Sequence, residues 1–144
     1  MRGAKRHGFP VWVVLADLDC FKEINDTVGH GAGDTELRTF ADTLRKLTRI
    51  SDMCGRLGGD EFLIVISHVS ATNIEIAINR FRELFGSLSF PFAGRSVSIS
   101  CTFGVAGSES GNIRDFDALV RKADEKLYEA KRAGRNRVHL AKLD

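Results

Sequence analysis

The sequence lacks any long hydrophobic run. The longest, Val11 to Ala16, is far shorter than the roughly 20 apolar residues that cross a bilayer. The basic residues near the N-terminus are followed neither by the sustained apolar stretch nor by the small-residue cleavage site of a signal peptide. We therefore expect a cytoplasmic protein with no membrane contact from this segment.

The sequence also lacks a large excess of either charge and a C-x-x-C cysteine motif. Lys and Arg total 21 against 19 Asp and Glu, a net charge of +2, so no nucleic acid partner is expected. The three cysteines form no C-x-x-C pair, and Cys54 and Cys101 lie in apolar, strand-like stretches where a core position is expected. Free thiols of this kind indicate a reducing cytoplasm. With no repeat, low-complexity segment or linker, residues 1–144 are predicted to form one domain.

The apolar patterning predicts an α+β fold with a mostly antiparallel five-stranded sheet flanked by helices. The two-residue glycine loop Gly58-Gly59 predicts a hairpin. The expected strands are Val11 to Leu18, Met53 to Leu57, Phe62 to Ile66, a half-buried strand from Val97 to Val105, and Arg137 to Ala141. The expected helices are Phe21 to Asp26, one from Asp34 to Leu47, Ile74 to Leu84, and one from Phe116 that ends near Gly134.

Carboxylates occur at the ends of the predicted strands. Asp17 ends the first strand, and Asp60 and Glu61 leave the glycine turn. If these strands are neighbours, the acids converge at one rim of the sheet, where they could bind Mg²⁺ together with phosphate oxygens. Gly58 and Gly59 would let a triphosphate approach the backbone closely. From composition alone, an ordinary hairpin turn with solvated acids is equally favoured.

Basic residues form a second candidate cluster. Lys131 and Arg135 are four apart at the end of the last predicted helix and are expected to share a face. Beside an acidic metal site, the pair reads as a clamp on β- and γ-phosphates. Taken alone, a solvated basic helix end that complements the helix dipole is the better interpretation.

Asn25 and Asp34 could recognise a guanine edge, with Asp34 accepting from the N1 and N2 hydrogens. Taken alone, a turn-forming asparagine and a helix-capping aspartate are favoured for these two residues.

Three motifs in a fixed order resemble one family. Asp17 to Asp26, followed by Gly29-His30 and Gly33-Asp34, resembles the D-x-D-x-F-K-x-I-N-D…G-H…G-D signature of the GGDEF diguanylate cyclases. Arg56 to Phe62 carries the motif that names the family, and Ala123 to Asn136 resembles its A-D…Y-x-A-K-x-x-G-R-N ending. The resemblance spans Asp17 to Val138.

The resemblance implies a palm-like fold related to nucleotidyl cyclases and ferredoxin-like domains. It implies condensation of two GTP molecules into cyclic di-GMP, by attack of a 3′-hydroxyl on an α-phosphorus with loss of pyrophosphate. Two Mg²⁺ ions per active site, for which Mn²⁺ can substitute, suit this reaction. Because each domain holds one GTP, a homodimer is expected to be needed for catalysis.

The family's functional residues carry over to matching positions of this sequence. Asp17, Asp60 and the carbonyl of Leu18 would hold the metals. Glu61 would position or deprotonate the 3′-hydroxyl, while Lys22 would contact the phosphates. The expected substrate-binding residues are Phe21, Asn25, Asp34, Gly58, Gly59, Lys131 and Arg135. In this family an aspartate at position 34 implies strict use of GTP, since it would face adenine as an unpaired acceptor.

Arg49-Ile50-Ser51-Asp52 resembles the family's R-x-x-D product-inhibition site. Arg49 could stack on guanine and pair with phosphate, with Asp52 completing the site for cyclic di-GMP. The alternative is an ordinary charged pair ending a helix.

The chain departs from the family pattern in two places. It starts after the helix and D-x-L-T-G-L-x-N-R segment with which the family usually begins, and Thr102-Phe103-Gly104 stands where S-I-G is usual, a change expected to be conservative packing. Two other functions remain open. One is a catalytically weak or inactive domain that binds GTP or cyclic di-GMP as a regulator. The other, more distant, is a class III-like cyclase making a cyclic mononucleotide. The retained acids Asp17, Asp60 and Glu61 favour the diguanylate cyclase.

Overall fold

The computed structural model describes residues 8–19, 38–39, 42–43, 51–58, 61–92, 95–113 and 115–144. Residues 38–39 and 42–43 are helical, inside the helix predicted from Asp34, whose other residues lie outside the described ranges, as does the predicted helix Phe21 to Asp26. The remaining elements are β1 (Val11–Leu18), β2 (Ser51–Gly58), β3 (Glu61–Ser67), α1 (Ala71–Gly86), β4 (Phe90–Phe92), β5 (Arg95–Val97), β6 (Cys101–Ser108), α2 (Phe116–Arg132) and β7 (Val138–Lys142).

In the described part of the chain, the main sheet has five strands in the order β2-β3-β1-β6-β7. The first three pairings are antiparallel, and only β6 and β7 pair in parallel. The predicted α+β fold with a mostly antiparallel sheet is therefore confirmed. The central place of β1 explains the apolar run from Val11 to Ala16, because a strand with neighbours on both edges and helices on both faces is buried on both sides.

Helices α1 and α2 cover opposite faces of the sheet. Along β1, successive side chains point to alternate faces, so Trp12, Val14, Ala16 and Leu18 pack with the buried residues of α1. Val13 and Leu15 pack instead with Leu119, Ala123 and Leu127 of α2. Asp17 continues the second series, and the strand therefore directs this carboxylate toward the face that α2 covers.

The backbone of β6 lies directly against α2. A Cβ added to Gly104 would lie 2.2 Å from the Ala123 carbonyl oxygen and 2.3 Å from the Leu127 nitrogen. Only glycine allows this approach. The close contact fixes the position of the helix, and with it the position of the residues at its C-terminal end.

The strand predicted from Val97 to Val105 was wrong in its bounds and its burial. The structure ends β5 at Val97, and β5 pairs with β4 in a separate two-stranded sheet. The next strand, β6, starts at Cys101, runs to Ser108 and is buried along its whole length, because helices cover both faces of the main sheet. An alternating pattern cannot reveal this interruption, since the period of two continues across residues 98–100.

The hairpin loop also differs from the prediction. Gly58 is the last residue of β2 and pairs with Glu61, so the residues between the two strands are 59 and 60 rather than 58 and 59. Among the described helices, none has both the length and the hydropathy needed to span a membrane.

Candidate functional site

The end of β1 brings two predicted acids together at one rim of the sheet. Asp17 pairs in register with Glu61 at the start of β3 and with Thr102 near the start of β6. This follows from antiparallel pairing, which places the end of one strand beside the start of the next. Asp17 is only 8% exposed, so its carboxylate lies in the floor of the site.

The C-terminal end of α2 supplies a cation at the same rim. The Lys131 ammonium forms an ion pair with Oδ2 of Asp17. This contact follows from the face on which both residues lie, since Asp17 points toward α2 and Lys131 is in its last turn. The pairing is partly shielded from water, because the two side chains are 30% and 11% exposed, and shielding strengthens the attraction between the charges.

Arg135 reaches the site differently from the prediction. Helix α2 ends at Arg132, so Lys131 and Arg135 do not share a helical face. Arg135 lies in a turn beyond the helix with φ of 63°, and its Nη1 is 4.0 Å from Oδ1 of Asp19. The spacing of four indicated a shared face only on the assumption that the helix continued. The two cations nevertheless arrive at the same rim.

Asp19 is a functional candidate to which the sequence assigned no role. It is 5% exposed and accepts hydrogen bonds from Ser100 Oγ at 2.6 Å and Thr102 Oγ1 at 2.5 Å. It also accepts from the backbone N–H of Asn136 at 3.0 Å. The available signal was the D-x-D spacing itself, but the sequence does not show which strand and turn supply the donors.

Thr102 contributes a hydroxyl as well as packing. Its Oγ1 donates to Asp19 and accepts from the Asn136 N–H at 2.9 Å. The serine usual at this position in the family would also supply a hydroxyl, so the chemical group is retained although the residue differs.

Cys101 has no chemical part in the site. It pairs with Leu18 across β1 and β6 and is fully buried. Burial, followed by the negative charge of Asp19, raises the pKa of its thiol far above the ordinary range. The thiol therefore stays protonated, which agrees with the predicted core role and not with a metal ligand or a nucleophile.

The donor chemistry at the rim fits a hard cation such as Mg²⁺. This ion takes one or two carboxylates, carbonyl oxygens, waters and substrate phosphates rather than a complete protein cage. The carboxylates of Asp17 and Glu61 and the carbonyl of Leu18 are oxygen groups of this kind. Within the ranges that the structure describes, no three His, Cys, Asp or Glu residues are grouped as metal ligands, and the third expected acid, Asp60, lies outside those ranges.

Several predicted site residues lie partly or wholly outside the described ranges. Gly58 lies in β2, and the side chain of Asp52 in the same strand is outside the description. The predicted residues that lie wholly outside the described ranges are Phe21, Lys22, Asn25, Asp34, Arg49, Gly59 and Asp60.

Comparisons with known proteins agree with this geometry. The family model "Diguanylate cyclase, GGDEF domain" matches residues 1–137. Diguanylate cyclase A of Treponema denticola is 35% identical over 130 residues, which are 90% of this chain and 35% of that protein. Diguanylate cyclase DosC of Escherichia coli K12 is 40% identical over 140 residues, 96% of this chain and 30% of that protein. The chain thus spans about a third of the length of these curated relatives.

A solved structure is similar over nearly the whole chain. The GGDEF domain of DgcB from Caulobacter crescentus, in complex with c-di-GMP, superposes with a TM-score of 0.87 at 27% identity. The match covers 96% of this chain and 81% of that one.

Proposed function

Because this chain belongs to the GGDEF family, we propose that it is a diguanylate cyclase domain that condenses two GTP molecules into one cyclic di-GMP and two pyrophosphates. The observation that carries the proposal is the joining of Asp17, Glu61 and Lys131 at one rim. Adjacent carboxylates beside an ammonium suit a metal-bound triphosphate, since the acids favour the cation and the ammonium favours the phosphates.

Each described residue at the rim has a proposed role. Asp17 and the Leu18 carbonyl, with Asp60, would hold two Mg²⁺ ions, which supply charge neutralisation at the phosphates when bound. Glu61 would position the 3′-hydroxyl and accept its proton. Lys131, already drawn to Asp17, and Arg135 would donate to the β- and γ-phosphate oxygens as pyrophosphate leaves.

The remaining predicted residues complete the proposal. Lys22 would add a phosphate contact, and Phe21, Gly58 and Gly59 would line the nucleotide site. Asn25 and Asp34 would select guanine, so GTP would be used rather than ATP. The motif of Arg49 and Asp52 would bind the product and inhibit the reaction.

Product analysis tests the proposed function. The 144-residue chain is incubated with Mg²⁺, GTP and ATP, and the nucleotides are separated by chromatography. We expect cyclic di-GMP as the main product. The matched variant Glu61→Gln should retain GTP binding but lose about 100-fold or more of the rate, the usual worth of a positioned proton acceptor.

Three outcomes would contradict parts of the proposal. Mainly mixed dinucleotide would overturn the role of Asp34 in base choice. Tight binding of GTP or cyclic di-GMP without turnover would establish the regulator instead of the enzyme, and a cyclic mononucleotide would indicate the class III-like reaction.

A further inference from the structure

The turn after α2 has an unfavourable backbone conformation. Gly134, Arg135 and Asn136 have consecutive φ values of 129°, 63° and 48°. Residues with a Cβ rarely adopt positive φ, and such conformations persist only where surrounding contacts hold them in place. Arg135 is one of the two proposed phosphate-binding residues at this end of the helix. The contacts that hold the turn therefore decide where its guanidinium lies.

Asp19 is the centre of those contacts. Its Oδ2 accepts from the Asn136 N–H at 3.0 Å and from Ser100 Oγ at 2.6 Å. Its Oδ1 accepts from Thr102 Oγ1, and that hydroxyl accepts in turn from the same Asn136 N–H at 2.9 Å. One buried carboxylate thus joins the end of β1, the start of β6 and the turn after α2.

Hydrogen bonds other than those of Asp19 also support the turn. The Arg135 N–H donates to the Ala130 carbonyl at 3.0 Å, and Arg82 Nη1 of α1 donates to Asn136 Oδ1 at 2.9 Å. Neither bond contacts the Arg135 side chain. Among the described residues, the ion-pair partner of that side chain is Asp19, whose Oδ1 is 4.0 Å from Nη1.

The hydrogen bonds of Asp19 indicate a positioning role. Both of its oxygens already accept from protein donors. Arg135, by contrast, has a side chain that is 48% exposed, so its remaining N–H groups can reach a bound anion. A buried acid beside a half-exposed guanidinium restrains the position of the guanidinium and leaves some of its N–H groups available to a ligand.

We propose that Asp19 is a positioning residue that fixes the Gly134–Asn136 turn and so holds the Arg135 guanidinium where the phosphates of a nucleoside triphosphate bind. The identity of that ligand rests on the proposed function. The restraint that Asp19 places on the turn does not, because its hydrogen bonds involve no ligand.

The test compares Asp19→Asn, Arg135→Ala and the double variant by calorimetric titration with GTP and Mg²⁺. An asparagine keeps the shape but turns an N–H group toward at least one of the existing donors. We expect each single variant to weaken GTP binding about tenfold, the size of one lost charge-assisted contact. The double variant should be no weaker than either single variant, because both changes remove the same interaction.

Controls separate positioning from general destabilisation. Thr102→Ser keeps the hydroxyl and should bind GTP as the wild type does, whereas Thr102→Val should resemble Asp19→Asn. Asp117→Asn makes the same chemical change at the other end of α2 and should have no effect on binding. Thermal unfolding of every variant checks that it folds.

Amide hydrogen exchange gives a readout that needs no nucleotide. The Asn136 amide should be protected in the wild type and exposed in Asp19→Asn, with the amides of β1 unchanged. Retained protection would overturn the inference whether or not the protein makes cyclic di-GMP. Unchanged GTP binding in Asp19→Asn, or additive losses in the double variant, would also overturn it. A wild type that neither binds nor converts GTP would count against the proposed function alone.

Discussion

The ion pair between Lys131 and Asp17 places opposite charges at the point where the last helix meets the end of the central strand. Asp17 is nearly buried, so removing its cation would leave a carboxylate in a poorly solvated place. In the proposed reaction the same ammonium would donate hydrogen bonds to the phosphate oxygens. One residue therefore links the stability of the fold to the chemistry of the site.

The variant Lys131→Met should be less stable than the wild type and should bind GTP more weakly. We expect the free energy of unfolding to fall by about 2 kcal/mol, between the costs of breaking an exposed and a buried pair. GTP binding should weaken about tenfold. Urea unfolding and calorimetry measure the two effects.

Lys122→Met is the matched control for this prediction. Lys122 lies on the same helix and pairs with Glu125 at 3.1 Å on the exposed surface, so its loss should cost less than about 1 kcal/mol. Equal unfolding midpoints for the wild type and Lys131→Met would contradict the assigned role of the Asp17 pair.

The position of α2 over β6 decides whether its last turn reaches the site. Gly104 allows this, since a side chain there would overlap the helix backbone at Ala123 and Leu127. Helix and strand are rigid elements, so a shift at the middle of α2 would also move Lys131. Packing within the core and geometry at the rim are connected through this glycine.

The variant Gly104→Ala should be strongly destabilised, by about 3 kcal/mol or more, because the clash involves backbone atoms that cannot move aside. Gly86→Ala, at the end of α1 with open space around the added Cβ, should change stability by less than about 1 kcal/mol. Denaturant unfolding compares the two. A Gly104→Ala protein as stable as Gly86→Ala would show that α2 can move away without cost.

The far end of the sheet depends on a carboxylate. Asp144, just beyond β7, accepts from Ser108 Oγ at 2.8 Å, from the Glu109 N–H at 2.9 Å and from Ser110 Oγ. The bond from Ser110 first, and the others after it, hold the pKa of Asp144 below its usual range. The ionised form is therefore the one that stabilises the folded state.

The sign of the pH dependence follows from the lowered pKa. Stability from Asp144 is present above its ordinary pKa, about 4, and is lost as the pH falls through the lowered folded-state pKa. Asp144→Asn should lower the melting temperature at pH 7 and lose less on going to pH 3 than the wild type does. Ser110→Ala removes the hydrogen bond that lowers the pKa of Asp144 most. This variant should also lose less stability between pH 7 and pH 3 than the wild type does. Identical acid profiles in all three proteins would refute the assignment.

At the scale of the whole molecule, the sheet is covered on both faces, and the chemical groups lie at one rim. In the proposed reaction, this rim would present one nucleotide and one set of acids. Because the reaction joins two nucleotides, we expect the second to be presented by another copy across a two-fold axis.

The rate of product formation should therefore rise more steeply than linearly with protein concentration. An excess of Glu61→Gln protein should lower the wild-type rate by forming mixed dimers, while an equal mass of unrelated protein should not. Pyrophosphate release measures both effects. A strictly proportional rate, at concentrations where sedimentation finds only monomers, would contradict the need for a dimer.

Local patterns predicted the elements that depend on local signals. The apolar stretch of β1, the glycines before Asp60 and the helical spacing from Phe116 all predicted elements that the structure contains, with bounds shifted by a few residues. The separate strands on either side of residues 98–100 were not predicted, because the alternation of side chains does not reveal where a chain leaves one sheet and enters another.

The sequence by itself determined the family, the fold class and the identity of the acids and bases, because motif order and hydrophobic period are properties of the chain. Tertiary structure alone decided which of them meet. It paired Lys131 with Asp17, carried Arg135 to the rim through a left-handed turn rather than along a helix, and surrounded Asp19 with donors from two other elements. These contacts join residues more than 80 positions apart, and they depend on strand register and on the direction of each chain reversal, which no local spacing specifies.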